Sequence, residues 1–252
     1  MLKFAVTFVL IFYTALSAYT IYSPLDPVLD RTGDFKRHHY LTSRFPFIGT
    51  YLLKKPQDLE HDKRYPLVVA LHGGRKRSLG AYISAGEDFQ SWEASFVLMP
   101  MARGSELWAA IDGLNVGSKK TDGLSNAVDV TRSLIEEHPI DDDRVYVTGS
   151  SNGAIGTFAA VANYPDVFAA GVAVNGIWTE KDATLFRDKK IAIYHGSEDL
   201  NFPISHMRSF IAAIEREGGE PKFVEMEGVG HDSWPAYRSR ELWDWLFKQR
   251  RS

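Results

Sequence analysis

The feature that most constrains the fold is a series of short apolar runs separated by polar or amphipathic stretches. The runs lie at residues 67–71, 96–99, 145–148, 169–174, 191–194 and 223–226. Short runs that are apolar at nearly every position are typical of strands buried on both faces of a sheet. Earlier segments, 38–43 and 47–53, are candidates for antiparallel edge strands.

Helices are expected between these strands. From Leu124 to His138 the apolar residues recur at i, i+3, i+4 and i+7, the spacing of a helix with one buried face, and Pro139 ends it. Further helices are expected at 152–163, 205–217 and 235–248. Alternating strands and helices predict an α/β fold, a mostly parallel central sheet with helices on both faces.

The amino terminus is expected to be a targeting segment. Lys3 precedes an apolar run that reaches Ala15, and Ala15-Leu16-Ser17 supplies small residues at the spacing that a signal peptidase accepts. This pattern is typical of a secretory signal peptide, so residues 1–17 are interpreted as a cleaved signal and residues 18–252 as one domain. The alternative is an uncleaved membrane anchor, because the run extends to Tyr22. Export to the periplasm or the medium follows from the first interpretation.

Composition excludes several function classes. The chain has 252 residues, a formal net charge of −3 and no cysteine. Without cysteine there are no disulfides, thiolate metal sites or cysteine nucleophiles. A slightly acidic chain without a basic stripe gives no reason to expect a nucleic-acid partner. The histidines are scattered and no cofactor motif appears, so neither a metal nor a cofactor is expected.

A candidate nucleophile lies where the third run meets a predicted helix. Gly149-Ser150-Ser151-Asn152-Gly153 matches the G-x-S-x-G pattern of a sharp turn that raises a serine above the end of a sheet. Glycine at the two flanking positions avoids Cβ clashes in so tight a turn. Ser151 is the serine with glycine two residues away on both sides. The alternative is a plain Gly/Ser-rich turn.

A serine nucleophile needs a base, and the base needs an orienting acid. Both are expected after later strands, in the order serine, acid, histidine. Asp199 follows the run at 191–194 and His231 follows the run at 223–226, so they are the predicted acid and base. Glu198 is the alternative acid, whereas His195 is interpreted as a packing residue.

The oxyanion of an acyl-transfer intermediate requires two backbone N–H donors. One is expected from Asn152, directly after the nucleophile, and the other from Gly74, in the loop that follows the first central strand. Candidates for substrate contact are Gly73 and three tryptophans expected in loops at the catalytic end: Trp92, Trp108 and Trp178. The connection between the runs at 169–174 and 191–194 is too short for a lid domain, which favours an open site.

These motifs resemble the α/β-hydrolase superfamily, and more narrowly the secreted polyhydroxybutyrate depolymerase and feruloyl esterase group. The resemblance rests on the segment from Asp143 to Gly153, on Leu71-His72-Gly73-Gly74, and on 195–199 followed by Pro203. It implies an α/β-hydrolase fold, serine carboxylesterase activity on short-chain, feruloyl, acetyl-sugar or hydroxyalkanoate esters, and the triad and oxyanion hole named above. Alternatives are a peptidase of the prolyl oligopeptidase type, or a binding protein on the same scaffold.

Overall fold

The computed structural model describes residues 35–42, 48–74, 92–102, 108–112 and 115–251. The predicted signal or anchor segment at 1–17 lies outside these residues. Within them, no helix is long and apolar enough to cross a membrane.

The described strands form one large sheet and a separate hairpin. The strands of the large sheet are β1 Lys36–Leu41, β2 Ile48–Lys54, β3 Tyr65–Leu71, β4 Phe96–Met101, β7 Ile140–Ser150, β8 Ala170–Val174, β9 Ile191–Gly196 and β10 Lys222–Met226. Their order is β1-β2-β4-β3-β7-β8-β9-β10; the β1–β2 and β2–β4 pairs are antiparallel and every other pair is parallel. The hairpin joins β5 Ala109–Asp112 to β6 Asn115–Lys120 and was not predicted.

Helices cover both faces of the large sheet. They are α1 Asp122–Glu137, α2 Asn152–Asn163, α3 Ile204–Arg216, α4 Trp234–Tyr237 and α5 Arg240–Phe247, with a 3₁₀ helix at Glu180–Phe186. One apolar cluster lies between the sheet and α1, α2 and α3, and a second lies between the sheet and α4 and α5. The predicted α/β architecture is therefore confirmed.

Helix α1 shows how local sequence sets an element's ends. Thr121 is its N-cap, and its hydroxyl accepts a hydrogen bond from the N–H of Leu124 at 3.3 Å. The helix stops at Glu137, as Pro139 predicts, and the N–H of His138 still donates to Leu134.

Several predicted boundaries differ from the structure; for example, β7 begins at Ile140 and not at Val145. Strand β4 was expected to stop before Pro100 but continues to Met101. Pro100 lies opposite Tyr51 of β2, but the pairing of β4 with β3 ends at Leu98, so no ladder bond to β3 requires the missing N–H. The helix expected over 235–248 is two helices, because Ser239 has extended backbone between α4 and α5.

Candidate active site

The structure places Ser151 at the turn from β7 into α2. Its φ is 56°, a value that non-glycine residues rarely adopt. Such a conformation costs about 1–3 kcal/mol and persists only where its surroundings hold it. Here the backbone N–H of Ser151 donates to the carbonyl oxygen of Val174 at 3.0 Å, which ties the turn to the end of β8.

The flanking glycines permit this turn because their backbones are in direct contact. A Cβ on Gly149 would lie 2.3 Å from the carbonyl oxygen of Gly153. A Cβ on Gly153 would lie 2.0 Å from the carbonyl oxygen of Leu71, at the end of β3. No larger residue fits either position without a backbone shift, so the spacing of the two glycines follows from backbone contact.

Asp199 and His231 form a hydrogen-bonded pair. The Nδ1 of His231 lies 2.7 Å from Oδ2 of Asp199, and the other carboxylate oxygen accepts from the N–H groups of Asn201 and Phe202 at 2.8 and 3.0 Å. Asp199 is 4% exposed, whereas Glu198, the alternative acid, is exposed. Thus every described contact of an acid with His231 is made by Asp199.

The environment of Asp199 favours its ionised form. Burial alone opposes ionisation, but the hydrogen bond from His231 and those from the two backbone N–H groups outweigh it, so the pKa of the Asp199 carboxyl lies below its usual value. An ionised carboxylate at this position holds the Nδ1–H tautomer of His231, which leaves Nε2 as the basic atom.

Backbone contact also brings the two loops of this pair together. A Cβ on Gly196 would lie 2.2 Å from the carbonyl oxygen of Val229 and 2.4 Å from that of Gly230. The N–H of Glu198 donates to the carbonyl oxygen of Val229 at 2.9 Å. The loops after β9 and β10 are therefore held against each other independently of the Asp199–His231 bond.

His195 is fully buried beside the pair, as expected of a packing residue. Its Nε2–H donates to the carbonyl oxygen of Phe202 at 2.8 Å, and the same nitrogen lies 3.7 Å from Oδ2 of Asp199. Burial lowers the pKa of the His195 ring and so favours its neutral form. A neutral ring with this contact holds the turn that presents Asp199.

Within the described residues, no hydrogen bond joins the Ser151 hydroxyl to the ring of His231. Two residues close to them in sequence are, however, hydrogen-bonded to each other. The hydroxyl of Ser150 is hydrogen-bonded to that of Ser233, and both residues are buried. Ser150 precedes Ser151 and Ser233 follows His231 by two residues. The serine turn and the histidine loop therefore adjoin, while the side chain of His231 remains 24% exposed.

The proposed oxyanion donors lie on two adjoining segments. Asn152 is the first residue of α2, and N–H groups in the first turn of a helix have no acceptor within the helix. Gly73 is buried and Gly74 is exposed after β3, and a Cβ on Gly74 would meet no atom within 4 Å. The space beside Gly74 is therefore open among the described residues.

Trp108 connects these two segments. Its ring N–H donates to the carbonyl oxygen of His72 at 2.8 Å, and its backbone N–H donates to Oδ1 of Asn152 at 3.4 Å. The Nδ1–H of His72 in turn donates to the carbonyl oxygen of Gly73 at 2.8 Å. Trp108 is only 1% exposed, so its position fits a support for the loop rather than a stacking surface.

The other two tryptophans are placed differently from expectation. Trp92 precedes β4 and stacks under the guanidinium of Arg240, at the amino ends of the parallel strands and thus at the edge opposite Ser151. The expectation that it lies at the catalytic end is wrong. Trp178 follows β8, but it is 3% exposed and packs against Phe158 and Phe186 in the core.

Sequence reasoning missed one buried polar residue of the site. Asn175, directly after β8, is hydrogen-bonded to Gly196 and to the carbonyl oxygen of Asp232. A lone asparagine after a strand belongs to no motif, and its only signal is that asparagine tolerates a left-handed backbone. In the described part of the chain, no group of three or more acidic or histidine side chains is arranged to hold a metal ion.

Comparison with known proteins supports the α/β-hydrolase fold. The model of the prolyl oligopeptidase family matches residues 114–184, a segment that contains the serine turn but neither Asp199 nor His231. A solved structure described as a thermostable esterase superposes with a TM-score of 0.79 at 27% identity, covering 87% of this chain and 64% of that chain. The chain has the α/β-hydrolase fold.

Proteins similar in sequence to this chain include esterases and a depolymerase. The chain is 31% identical to poly(3-hydroxyalkanoate) depolymerase C of Paucimonas lemoignei over 44% of this chain and 28% of that protein. It is 26% identical to the probable feruloyl esterase C of Aspergillus niger over 73% of this chain and 67% of that protein. The resemblance to the serine esterases of the superfamily is thus confirmed.

Several alignments are short relative to the relatives themselves. The chain spans 16% to 28% of the length of an acetylxylan esterase, a feruloyl esterase and the depolymerase that it matches. The likeness in these cases covers a part of those proteins and not the whole of them.

Proposed function

We propose that this α/β-hydrolase is a serine carboxylesterase that works through an acyl-enzyme on Ser151. The observation that carries the proposal is the pairing of a strained serine at a helix N-terminus with a buried Asp199–His231 hydrogen bond on the adjoining loops. Backbone contacts hold Ser151 at a φ of 56°, which costs folding free energy. Such strain is typical of functional sites.

The proposed reaction has two half-reactions. The Ser151 hydroxyl adds to the ester carbonyl carbon while Nε2 of His231 takes its proton, and Asp199 stabilises the resulting imidazolium. The oxyanion accepts hydrogen bonds from the N–H groups of Gly74 and Asn152. The tetrahedral intermediate expels the alcohol, which receives the proton from His231. Water then repeats the cycle on the acyl-enzyme and releases the carboxylic acid.

This reaction needs a hydrogen bond between Ser151 and His231 that the substrate-free geometry does not contain. Catalytic hydrogen bonds are often long before substrate binds and shorten in the complex. The Ser150–Ser233 bond keeps the two loops adjacent, which formation of the Ser151–His231 bond requires.

The proposed substrates are short-chain, feruloyl, acetyl-sugar or hydroxyalkanoate-type esters. The printed activities of the relatives support this range. The short connection from β8 to β9 supports it too, because its 3₁₀ helix packs through Phe186 onto α3 instead of extending over the site. Leu200, directly after Asp199, is 93% exposed and offers an apolar contact to a substrate at the rim.

The test combines a serine-directed probe with ester turnover. A fluorophosphonate should label the wild-type protein, and Ser151→Ala should abolish both labelling and hydrolysis of p-nitrophenyl acetate. Ser133→Ala, which removes an exposed hydroxyl of α1 that is bonded to Glu137, should keep the label, and the label should map to Ser151. Labelling of Ser151→Ala would refute the assignment. A wild-type protein that is neither labelled nor active would support the binding-protein alternative.

A peptidase is the second candidate, favoured by the match to the prolyl oligopeptidase family over 114–184. Turnover of peptide p-nitroanilides should be compared with that of matched p-nitrophenyl esters under the same conditions. Ester turnover that exceeds peptide turnover beyond the intrinsic difference in reactivity supports the esterase, and the reverse supports the peptidase.

We also propose that the enzyme is exported through residues 1–17. After expression with its own amino terminus, the mature chain should begin at Ala18 and be recovered outside the cytoplasm. A full-length chain found in the membrane fraction would instead support the anchor.

A further inference from the structure

Asn175 has an unusual combination of burial and backbone conformation. It is 0% exposed and follows directly after β8, with a φ of 50°. Asparagine is one of the few residues other than glycine that adopt this left-handed region. Its backbone N–H donates to the carbonyl oxygen of Tyr194 at 2.9 Å, so the conformation is held at the end of the sheet.

The side-chain amide of Asn175 binds two loops at once. Its Oδ1 accepts a hydrogen bond at 2.8 Å from the N–H of Gly196, three residues before Asp199. Its Nδ2 donates at 2.9 Å to the carbonyl oxygen of Asp232, next to His231, and reaches the carbonyl oxygen of Gly230 at 3.5 Å. The amide therefore bridges the backbones of the acid and histidine loops.

The preceding residue completes the connection. The carbonyl oxygen of Val174 accepts the hydrogen bond from the N–H of Ser151. Two consecutive residues at the end of β8 thus contact the serine turn, the acid loop and the histidine loop. Each contact is to backbone, so the link fixes loop position and leaves the functional side chains unobstructed.

We propose that Asn175 is a positioning residue that holds His231 in register with Asp199 and Ser151 for the esterase reaction. This proposal rests on the proposed function. Both the oxygen and the nitrogen of the Asn175 amide are hydrogen-bonded, and losing either bond would leave a buried polar group without a partner, which costs free energy. The two loops are therefore held at the spacing that satisfies both bonds. Side chains that only donate, only accept or are apolar cannot satisfy both loops.

The test uses Asn175→Gly. Glycine adopts the left-handed backbone conformation without strain, and the substitution removes the side-chain hydrogen bonds to both loops. Displacement of a catalytic group by about 1 Å can reduce the rate by ~10²-fold. We expect kcat for p-nitrophenyl acetate to fall by ~10- to 100-fold and KM to change less than about threefold, because alignment rather than substrate contact is lost.

A spectroscopic readout makes the test independent of turnover. The Nδ1 proton of His231, bonded to a buried carboxylate, should give a low-field proton NMR signal that is absent in His231→Gln. In Asn175→Gly this signal should shift or broaden at temperatures well below the unfolding transition. If the wild type hydrolyses no ester, the proposed function fails, but this signal still tests the positioning role.

The matched control is Asn163→Ala, at the end of α2. Its Nδ2 donates to the carbonyl oxygen of Ala159 at 2.8 Å, away from the three loops. This variant should lower the melting temperature while leaving kcat and the His231 signal unchanged. An unchanged signal or an unchanged kcat in Asn175→Gly would overturn the proposal, as would an equal loss of kcat in the control.

Discussion

Replacing Gly153 by alanine tests whether backbone contact sets the geometry of the serine turn. The added Cβ would lie 2.0 Å from the carbonyl oxygen of Leu71 and 3.0 Å from that of His72. Cβ contacts below 3.0 Å essentially do not occur. The first turn of α2 must therefore move away from the end of β3 by about 1 Å, since both partners are backbone.

The displacement affects stability and catalysis through different contacts. Overpacking in a rigid region costs about 1–3 kcal/mol of folding free energy. The same movement separates Asn152 from the Gly74 loop, and these are the proposed oxyanion donors. A misplacement of about 1 Å is sufficient for a ~10²-fold loss of rate. We therefore expect Gly153→Ala to lose ~10²-fold in kcat/KM even under conditions where it is folded.

The assay pairs urea unfolding with initial rates on p-nitrophenyl acetate. Gly230→Ala is the matched control, because its Cβ would meet its nearest atom, the carbonyl oxygen of Glu198, at an ordinary 3.7 Å. It should remain near wild type in stability. Wild-type kcat/KM and stability in Gly153→Ala would refute the argument that the glycine spacing reflects backbone contact.

Three further predictions concern buried polar groups. The pKa of Asp199 is lowered on folding, so its contribution to stability is complete above about pH 4 and is lost as the pH falls through the folded-state pKa. The difference in unfolding free energy between the wild type and Asp199→Asn should therefore shrink below about pH 4. Burial raises the pKa of Tyr194 to about 12, and its hydroxyl has no hydrogen-bond partner among the described residues, so Tyr194→Phe should leave the melting temperature unchanged or raise it. Ser233→Ala leaves the buried hydroxyl of Ser150 unpaired and should lower stability by about 1–3 kcal/mol in chemical denaturation, with a smaller loss refuting the structural role of the pair.

The sequence was most informative where backbone geometry leaves few alternatives. Buried parallel strands need continuous apolar runs, so β3, β7, β8 and β9 were located from the sequence alone. The serine turn needs glycines at fixed positions, and Gly149 and Gly153 do contact backbone. In both cases one steric requirement determines the residue type, and the pattern can therefore be recognised without coordinates.

Features that depend on which segments meet in space were harder to predict. Trp92 was assigned to the catalytic end because it lies in a loop, but a loop that enters a parallel strand lies at the opposite edge from the loop that leaves it. Asn175 contacts loops 21 and 57 residues away, a relation that no local pattern records. The break at Ser239 likewise divides a segment that the sequence predicted as one helix.

The position of β10 in the described sheet has a consequence for how activity fails under stress. The serine turn follows β7, which has strands on both sides, whereas His231 follows β10, the outermost strand, bonded on one side to β9 and half-buried throughout. Segments with few buried contacts open at lower free energy than the centre of a fold. Gentle heating should therefore open β10 and the loop with His231 first. The resulting molecule is inactive, although the strands around Ser151 remain folded, and it recovers activity on cooling.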